Sequence, residues 1–217
     1  MDLCSMENNK KPDRQIVILM GESGAGKTTY LQDHAKEFEG HNIVSRDMVA
    51  HEICILKEKE TGNHYFINDV YRNIEKDVLE QKTREKFAKA VNNGDNIVVE
   101  AASLNSKLRT EIVSFVKKSD KFNYKTKAII FHSPSEEEHL NRLFNRSLKR
   151  NCLSAMNNIA LQDPKQPEPI KDGEFDHIEY VGVKSEKTLF HEYQKPASLA
   201  DAIKDAKTLG NTGCYNR

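Results

Sequence analysis

Eight residues, Gly21-Glu22-Ser23-Gly24-Ala25-Gly26-Lys27-Thr28, follow the pattern G-x-x-x-x-G-K-[ST], whose chemistry is the holding of phosphate. Glycines at this spacing let successive backbone N–H groups turn inward on phosphate oxygens, and the start of a following helix adds partial positive charge. A lysine placed like Lys27 reaches the β- and γ-phosphates, and a hydroxyl placed like Thr28 suits Mg²⁺. The stretch from Gly21 through Thr28 to Thr29 is therefore assigned to a nucleoside triphosphate, foremost ATP, with Thr28 on the metal.

Such a loop needs a strand before it and a helix after it. The apolar run Ile16-Val17-Ile18-Leu19-Met20 supplies the first, and Leu31, Ala35 and Phe38 at i, i+4, i+7 indicate the second. Further along, Asn42–Ser45, Asn96–Glu100, Ala128–Phe131 and Ile178–Val181 read as short strands. Helical patterns separate them: Ile67 to Val91, then Leu108, Ile112 and Phe115 on one face, then Leu140, Leu143, Phe144 and Leu148 behind an S-x-x-E capping box at Ser135–Glu138. The segment Met48–Phe66 has no clear period. Strands alternating with helices predict a three-layer α/β sandwich around a mostly parallel five-stranded sheet, with a helical lid. Its ligand belongs at the carboxyl ends of the strands.

Three features beyond the loop bear on what becomes of a γ-phosphate. Asp47 ends the second strand on the rim where the loop opens; it suits a general base on an attacking hydroxyl, or a helix N-cap. Glu100 closes the third strand, as a ligand near Mg²⁺ or as a solvated strand-end charge. Arg142, Arg146 and Arg150 repeat at i, i+4, i+8, a stripe that fits a lid neutralising polyphosphate or a solvated basic face.

The bulk numbers narrow the field. With 217 residues, 37% hydrophobic and 30% charged, the chain suits one α/β domain with an adjunct. Thirty-three basic and 33 acidic residues cancel, so no global field draws it to nucleic acid or anionic membrane. Lys117, Lys118, Lys121, Lys125 and Lys127 form a local basic cluster that offers phosphate contacts or a solvated helix end. Four scattered cysteines without metal-ligand spacing suit a reducing, cytoplasmic compartment. No apolar run approaches membrane-spanning length. The expected organisation is a disordered lead-in over 1–14, a domain over 15–183 with its lid near 139–160, and an adjunct over 184–217.

With these residues in view, the chain resembles the P-loop kinases that include polynucleotide 5′-hydroxyl kinases. The resemblance covers roughly Ile16 to Val181 and rests on the phosphate loop, Ser45-Arg46-Asp47, Val99-Glu100-Ala101-Ala102-Ser103-Leu104-Asn105, Arg146-Ser147-Leu148-Lys149-Arg150 and Gly173-Glu174-Phe175-Asp176-His177-Ile178. It implies ATP and Mg²⁺ as cofactors and Asp47 as general base. It also implies Lys27, Arg146 and Arg150 as charge clamps on the transferring group, and a nucleic-acid end or a hydroxyl-bearing small molecule as acceptor. Two positions depart from the pattern. Ala50 stands where phage-type polynucleotide kinases carry an arginine, and Glu100 stands where the pattern has Asp, followed by Ala101-Ala102-Ser103 in place of a polar core.

The leading expectation is an ATP-dependent kinase acting on a polynucleotide 5′-hydroxyl. Hydroxymethylated pyrimidine in DNA, or a nucleoside or other metabolite, are the alternatives within that class. A switch or assembly ATPase is the alternative from another class, although the arginines here lie on a lid in cis. A binding module that has lost catalysis is the third.

Overall fold

A computed structural model describes residues 11–65, 67, 70, 76–100, 105–132, 136–149 and 167–181. Five strands form one sheet in the order β2-β3-β1-β4-β5: β1 (Asp13–Met20), β2 (Asn42–Ser45), β3 (Ile97–Glu100), β4 (Asn123–Phe131) and β5 (His177–Val181). Every neighbouring pair runs parallel. The expected sheet is therefore present, and its parallel pairing follows from the intervening helices, which carry the chain back along the sheet each time. β1 starts at Asp13, inside the span read as lead-in, because Asp13 and Arg14 continue the pairing with Asn123 and Tyr124 of β4.

The apolar run of β1 is buried on both faces. Ile16, Ile18 and Met20 enter one core with Val44, Ala90, Ile97, Val99, Val116 and Ile130. Val17 and Leu19 point the other way, to Ala25, Leu31, Phe38, Val98, Ile129 and Phe131. This period-2 division is why a central parallel strand reads as an unbroken hydrophobic run. Burying each such side chain contributes about 1.5–3 kcal/mol, so β1 is anchored far more firmly than the loop it launches.

The helices are α1 (Lys27–Asp33), α2 (Arg46–Thr61), α3 (Lys76–Asn93), α4 (Ser106–Lys117) and α5 (Glu136–Lys149). Three differ from the sequence reading. The helix after the phosphate loop stops at Asp33 and gives way to turns, so Leu31 and Phe38 are buried but Ala35 is exposed. The unassigned stretch Met48–Phe66 is largely helix α2, with Val49, Ala50, Ile53 and Cys54 buried against Val70 and Leu79 in a small separate core. Its period is obscured because Met48, Ile55 and Leu56, equally apolar, lie exposed on the other side.

α4 also turns a different face inward. Leu108 and Phe115 are 41% and 45% exposed, whereas Arg109 and Val116 are fully buried, with Ile112 and Val113 partly so. The inward position of Arg109 is stabilised by Glu174: its Nε donates to Glu174 Oε1 at 2.7 Å, and Nη2 donates to the carbonyls of Glu168 and Pro169 at 3.1 and 3.2 Å. Glu168 in turn accepts from the backbone N–H of Ser106 at 2.9 Å, which holds its carboxyl below the usual range. Asn105 caps α4 by accepting from Lys107 N–H and Leu108 N–H.

The Gly173–Ile178 motif is structural joinery. Phe175 enters the core, Glu174 pairs with Arg109, and Asp176 accepts from Thr126 N–H at 2.7 Å and from Lys117 at 2.7 Å. Burial works to raise the Asp176 carboxyl, but the hydrogen bonds from Lys117 and Thr126 outweigh it and hold it low. The first half of the helix read over Ile67–Val91, the capping box at Ser135, the far part of the lid and the segment 184–217 lie largely or wholly outside the described residues.

Candidate functional site

The phosphate loop leaves β1 at Met20 and enters α1 at Lys27. Its shape depends on glycine at two points. A side chain at Gly21 would place Cβ 2.9 Å from Phe131 Cβ, a separation that side chains do not tolerate. Gly24 has φ +85°, a left-handed backbone, and also lies against Leu143 of α5. Gly26, the N-cap of α1, brings no side-chain cap, and a Cβ there would meet nothing within 4 Å. A Cβ at Gly26 would thus stand in open space, and the donors that a loop of this pattern offers to phosphate are backbone N–H groups.

Lys27 folds back over the loop. Its Nζ donates to the carbonyls of Gly21 at 2.8 Å and Glu22 at 2.9 Å. Thr28 Oγ1 donates to Glu100 Oε1 at 2.5 Å, across 72 residues of sequence. This contact follows from register: Glu100 pairs with Leu19 on one side and with Ser45 on the other, so three strand ends meet beside the loop. The hydroxyl and carboxylate are hard oxygens of the kind that would hold Mg²⁺.

The same register places Asp47. It lies two residues beyond Ser45, in the first turn of α2, exposed, on the rim shared with the phosphate loop. Ser45, not Asp47, occupies the N-cap position. Arg46 beside it pairs with Glu80 of α3 at 2.6 Å. Ala50 is fully buried on the inner face of α2, so the position that departs from the phage-type pattern belongs to a core contact and not to the rim.

The basic features divide. α5 carries Arg142 to the loop, where its Nη1 lies 3.4 Å from the Gly24 carbonyl while Nη2 bonds Glu138 at 2.8 Å, one helical turn back. Arg146 is within α5, and Arg150 lies outside the described residues. Of the lysine cluster, Lys117, Lys118 and Lys121 precede β4 at the opposite end of the sheet, roughly 20–25 Å from the loop by strand rise, while Lys125 and Lys127 sit along β4 beside Gln15 and Val17 of β1. Lys117 pairs with Asp176 at 2.7 Å, Lys125 with Asp13 at 3.6 Å, and Lys127 with Glu179 at 2.8 Å. Glu179 also accepts from Tyr30 of α1; burial and then this carboxylate push the Tyr30 phenol up to about 12, so it remains a donor.

Sequence reasoning missed one residue at the loop, His139. It is only 2% exposed, and its Nε2 lies 4.0 Å from Glu22 Oε2. A signal was available. His139 precedes Leu143 by four residues and so shares the apolar face of its helix.

The fold and the loop define a P-loop kinase-like α/β protein. Residues 16–166 match the model of a family described as an AAA domain, and the chain belongs to that family. No curated protein matches the sequence. Among solved structures, the chain is similar to a candidate kinase from Chloroflexus aurantiacus j-10-fl, with TM-score 0.54, 13% identity and coverage of 93% of this chain and 98% of that one. It is similar also to a structure of the PezAT chromosomal toxin–antitoxin system of Streptococcus pneumoniae, with TM-score 0.52, 16% identity and coverage of 96% and 89%. At such identities the likeness establishes the fold. Among the described residues, no helix is long and apolar enough to cross a membrane.

If Thr28 and Glu100 share a metal, Glu100→Ala is expected to raise the Mg²⁺ concentration for half-maximal turnover by about 10–100-fold, the range for ligands and their supporting groups. A Mg²⁺ titration of initial rates checks this. An unchanged midpoint removes Glu100 from the metal site.

Proposed function

We propose that this protein is an ATP-dependent kinase that moves the γ-phosphoryl group to an alcohol. The observation that carries the reading is the Thr28–Glu100 contact, with Ser45 in register opposite Glu100. It supports the reading because it brings the phosphate loop and two oxygens that could hold a metal to the strand ends from which α2, with Asp47, departs. Glycine-loop N–H groups from Gly21 to Lys27 bind the phosphates, with Glu22, Ser23, Gly24, Ala25, Gly26 and Thr29 completing the cradle. Lys27 exchanges its two carbonyl partners for phosphate oxygens, a stronger charge-assisted bond. Asp47 accepts the acceptor's proton as the new P–O bond forms and the bond from the γ-phosphorus to the departing ADP breaks. Arg142, which borders the loop, balances the charge of the transferring group, the role that the resemblance also gives to Arg146 and Arg150. Thr28, with Glu100 nearby, would hold Mg²⁺, which would supply charge neutralisation to the polyphosphate.

The resemblance implies a polynucleotide 5′-hydroxyl as the first acceptor to test. A hydroxyl-bearing small molecule is the second reading, and two observations favour it. Ala50 leaves the first turns of α2 without an inherited phosphate clamp, and three lysines of the basic cluster, Lys117, Lys125 and Lys127, are paired with acids. Transfer from γ-labelled ATP to 5′-hydroxyl DNA and RNA, hydroxymethylpyrimidine DNA, and nucleosides and sugars tests both. A polymer acceptor gives apparent binding that falls steeply with log salt; a small acceptor gives a shallow slope. Hydrolysis of ATP with no label on any acceptor would sink the kinase reading in favour of an ATPase.

A further inference from the structure

His139 is the buried group that the reaction above leaves unused. Within the described residues neither ring nitrogen has a hydrogen-bond partner, although the side chain is 98% buried by its 2% exposure. Its ring lies against the phosphate loop: Cε1 is 3.9 Å from where a Cβ on Gly24 would stand, and Nε2 is 4.0 Å from the Glu22 carboxylate. Glu22 is itself only 7% exposed. Two buried polar groups therefore face each other about 1 Å beyond hydrogen-bonding range, an arrangement that favours a small closing movement.

Lys27 connects this gap to the ligand. The amine that would grip phosphate holds the backbone carbonyls of Gly21 and Glu22. A phosphate drawing Lys27 away frees the Glu22 peptide from that anchor. Arg142 lies three residues beyond His139, on the same helix, and already borders the Gly24 carbonyl.

We propose that His139 is a positioning residue: when phosphate occupies the loop, its imidazole closes onto the Glu22 carboxylate and seats α5 so that Arg142 is held over the transferring group. This rests on the reading that the loop binds nucleotide. The charged groups facing the imidazole are Glu22 from the loop and Arg142 from its own helix, with Glu138 engaged by Arg142. Burial holds the imidazole below its ordinary value; the Glu22 carboxylate opposes this and Arg142 adds to it. Closure strengthens the Glu22 contribution, so the imidazole's titration must rise.

The test is NMR titration of His139 in the full chain, with and without a non-hydrolysable ATP analogue and Mg²⁺, its signal assigned by loss in His139→Gln. The expected result is an upward shift of roughly one pH unit or more in the saturated protein, the scale of a carboxylate brought into contact. Saturated protein with an unmoved His139 titration overturns the inference and leaves nucleotide binding intact. A chain that binds no analogue overturns both. Turnover supplies the second arm: His139→Leu should lower kcat about tenfold with KM for ATP within about threefold, and His139→Gln, which retains an N–H donor, should recover most of it. Equal kcat in all three proteins overturns the positioning role.

Discussion

Asp47→Ala is expected to lower turnover about 10²–10⁴-fold while leaving ATP affinity within a few-fold of the parent chain, the range for removing a positioned general base. That loss corresponds to roughly 3–5 kcal/mol of barrier. The separation of kcat from nucleotide affinity is what the placement demands. Asp47 lies on α2, reached through β2, whose pairing with β3 connects it to the strand end beside the loop. It is exposed, so its replacement removes no core contact, and thermal stability should move by no more than surface substitutions do, within about 0.5 kcal/mol. Steady-state kinetics, nucleotide binding by calorimetry and a melting curve on one protein preparation check all three quantities. Turnover within a few-fold of the parent would remove Asp47 from the reaction. A large drop in melting temperature would mean that its effect was structural.

The second large effect concerns stability. Arg109→Ala should destabilise the domain by about 3–5 kcal/mol, because it leaves the Glu174 carboxylate buried and without its cation. At about 2–4 °C per kcal/mol for a chain of this size, the midpoint should fall by about 10 °C. Glu174 is 7% exposed at its side chain and Arg109 is 0% exposed, so water cannot readily replace either partner. Replacing both, as Arg109→Met with Glu174→Leu, should restore at least half of the loss, since removing a buried pair together avoids the orphaned charge. Additive losses in the double variant would show that the carbonyl contacts to Glu168 and Pro169 carry the stability instead. Among the described residues this pair ties the segment 167–181 to α4, so β5 and its contact with Tyr30 should loosen first.

Several features of the site depend on pairings that a linear pattern does not encode. The α4 face shows why. Leu108, Ile112 and Phe115 are the obvious apolar stripe, yet an arginine one residue along turns inward because a glutamate 65 residues later meets it. Periodicity records the hydrophobicity of each side chain but not a charge neutralised at a distance. α2 escaped detection for a related reason: with apolar residues on both its inner and outer sides, the inner face is selected by the residues that pack against it, among them Val70 and Leu79. The helical spacing of His139 to Leu143 marked it as inward-facing, but what it faces, Glu22 of the loop, is set by tertiary packing.

What the amino-acid order determined by itself was local. The glycine spacing of the phosphate loop, the doubly buried run of β1 and the strand–helix alternation are each written in contiguous residues whose backbone preferences and burial patterns act over a few positions. From these came the parallel α/β sheet and the place of the loop within it. Tertiary structure decided which distant groups come together: Thr28 with Glu100, Arg109 with Glu174, Lys117 with Asp176, and His139 facing Glu22. Those contacts join residues far apart in the chain, so they exist only once sheet register has aligned the strand ends.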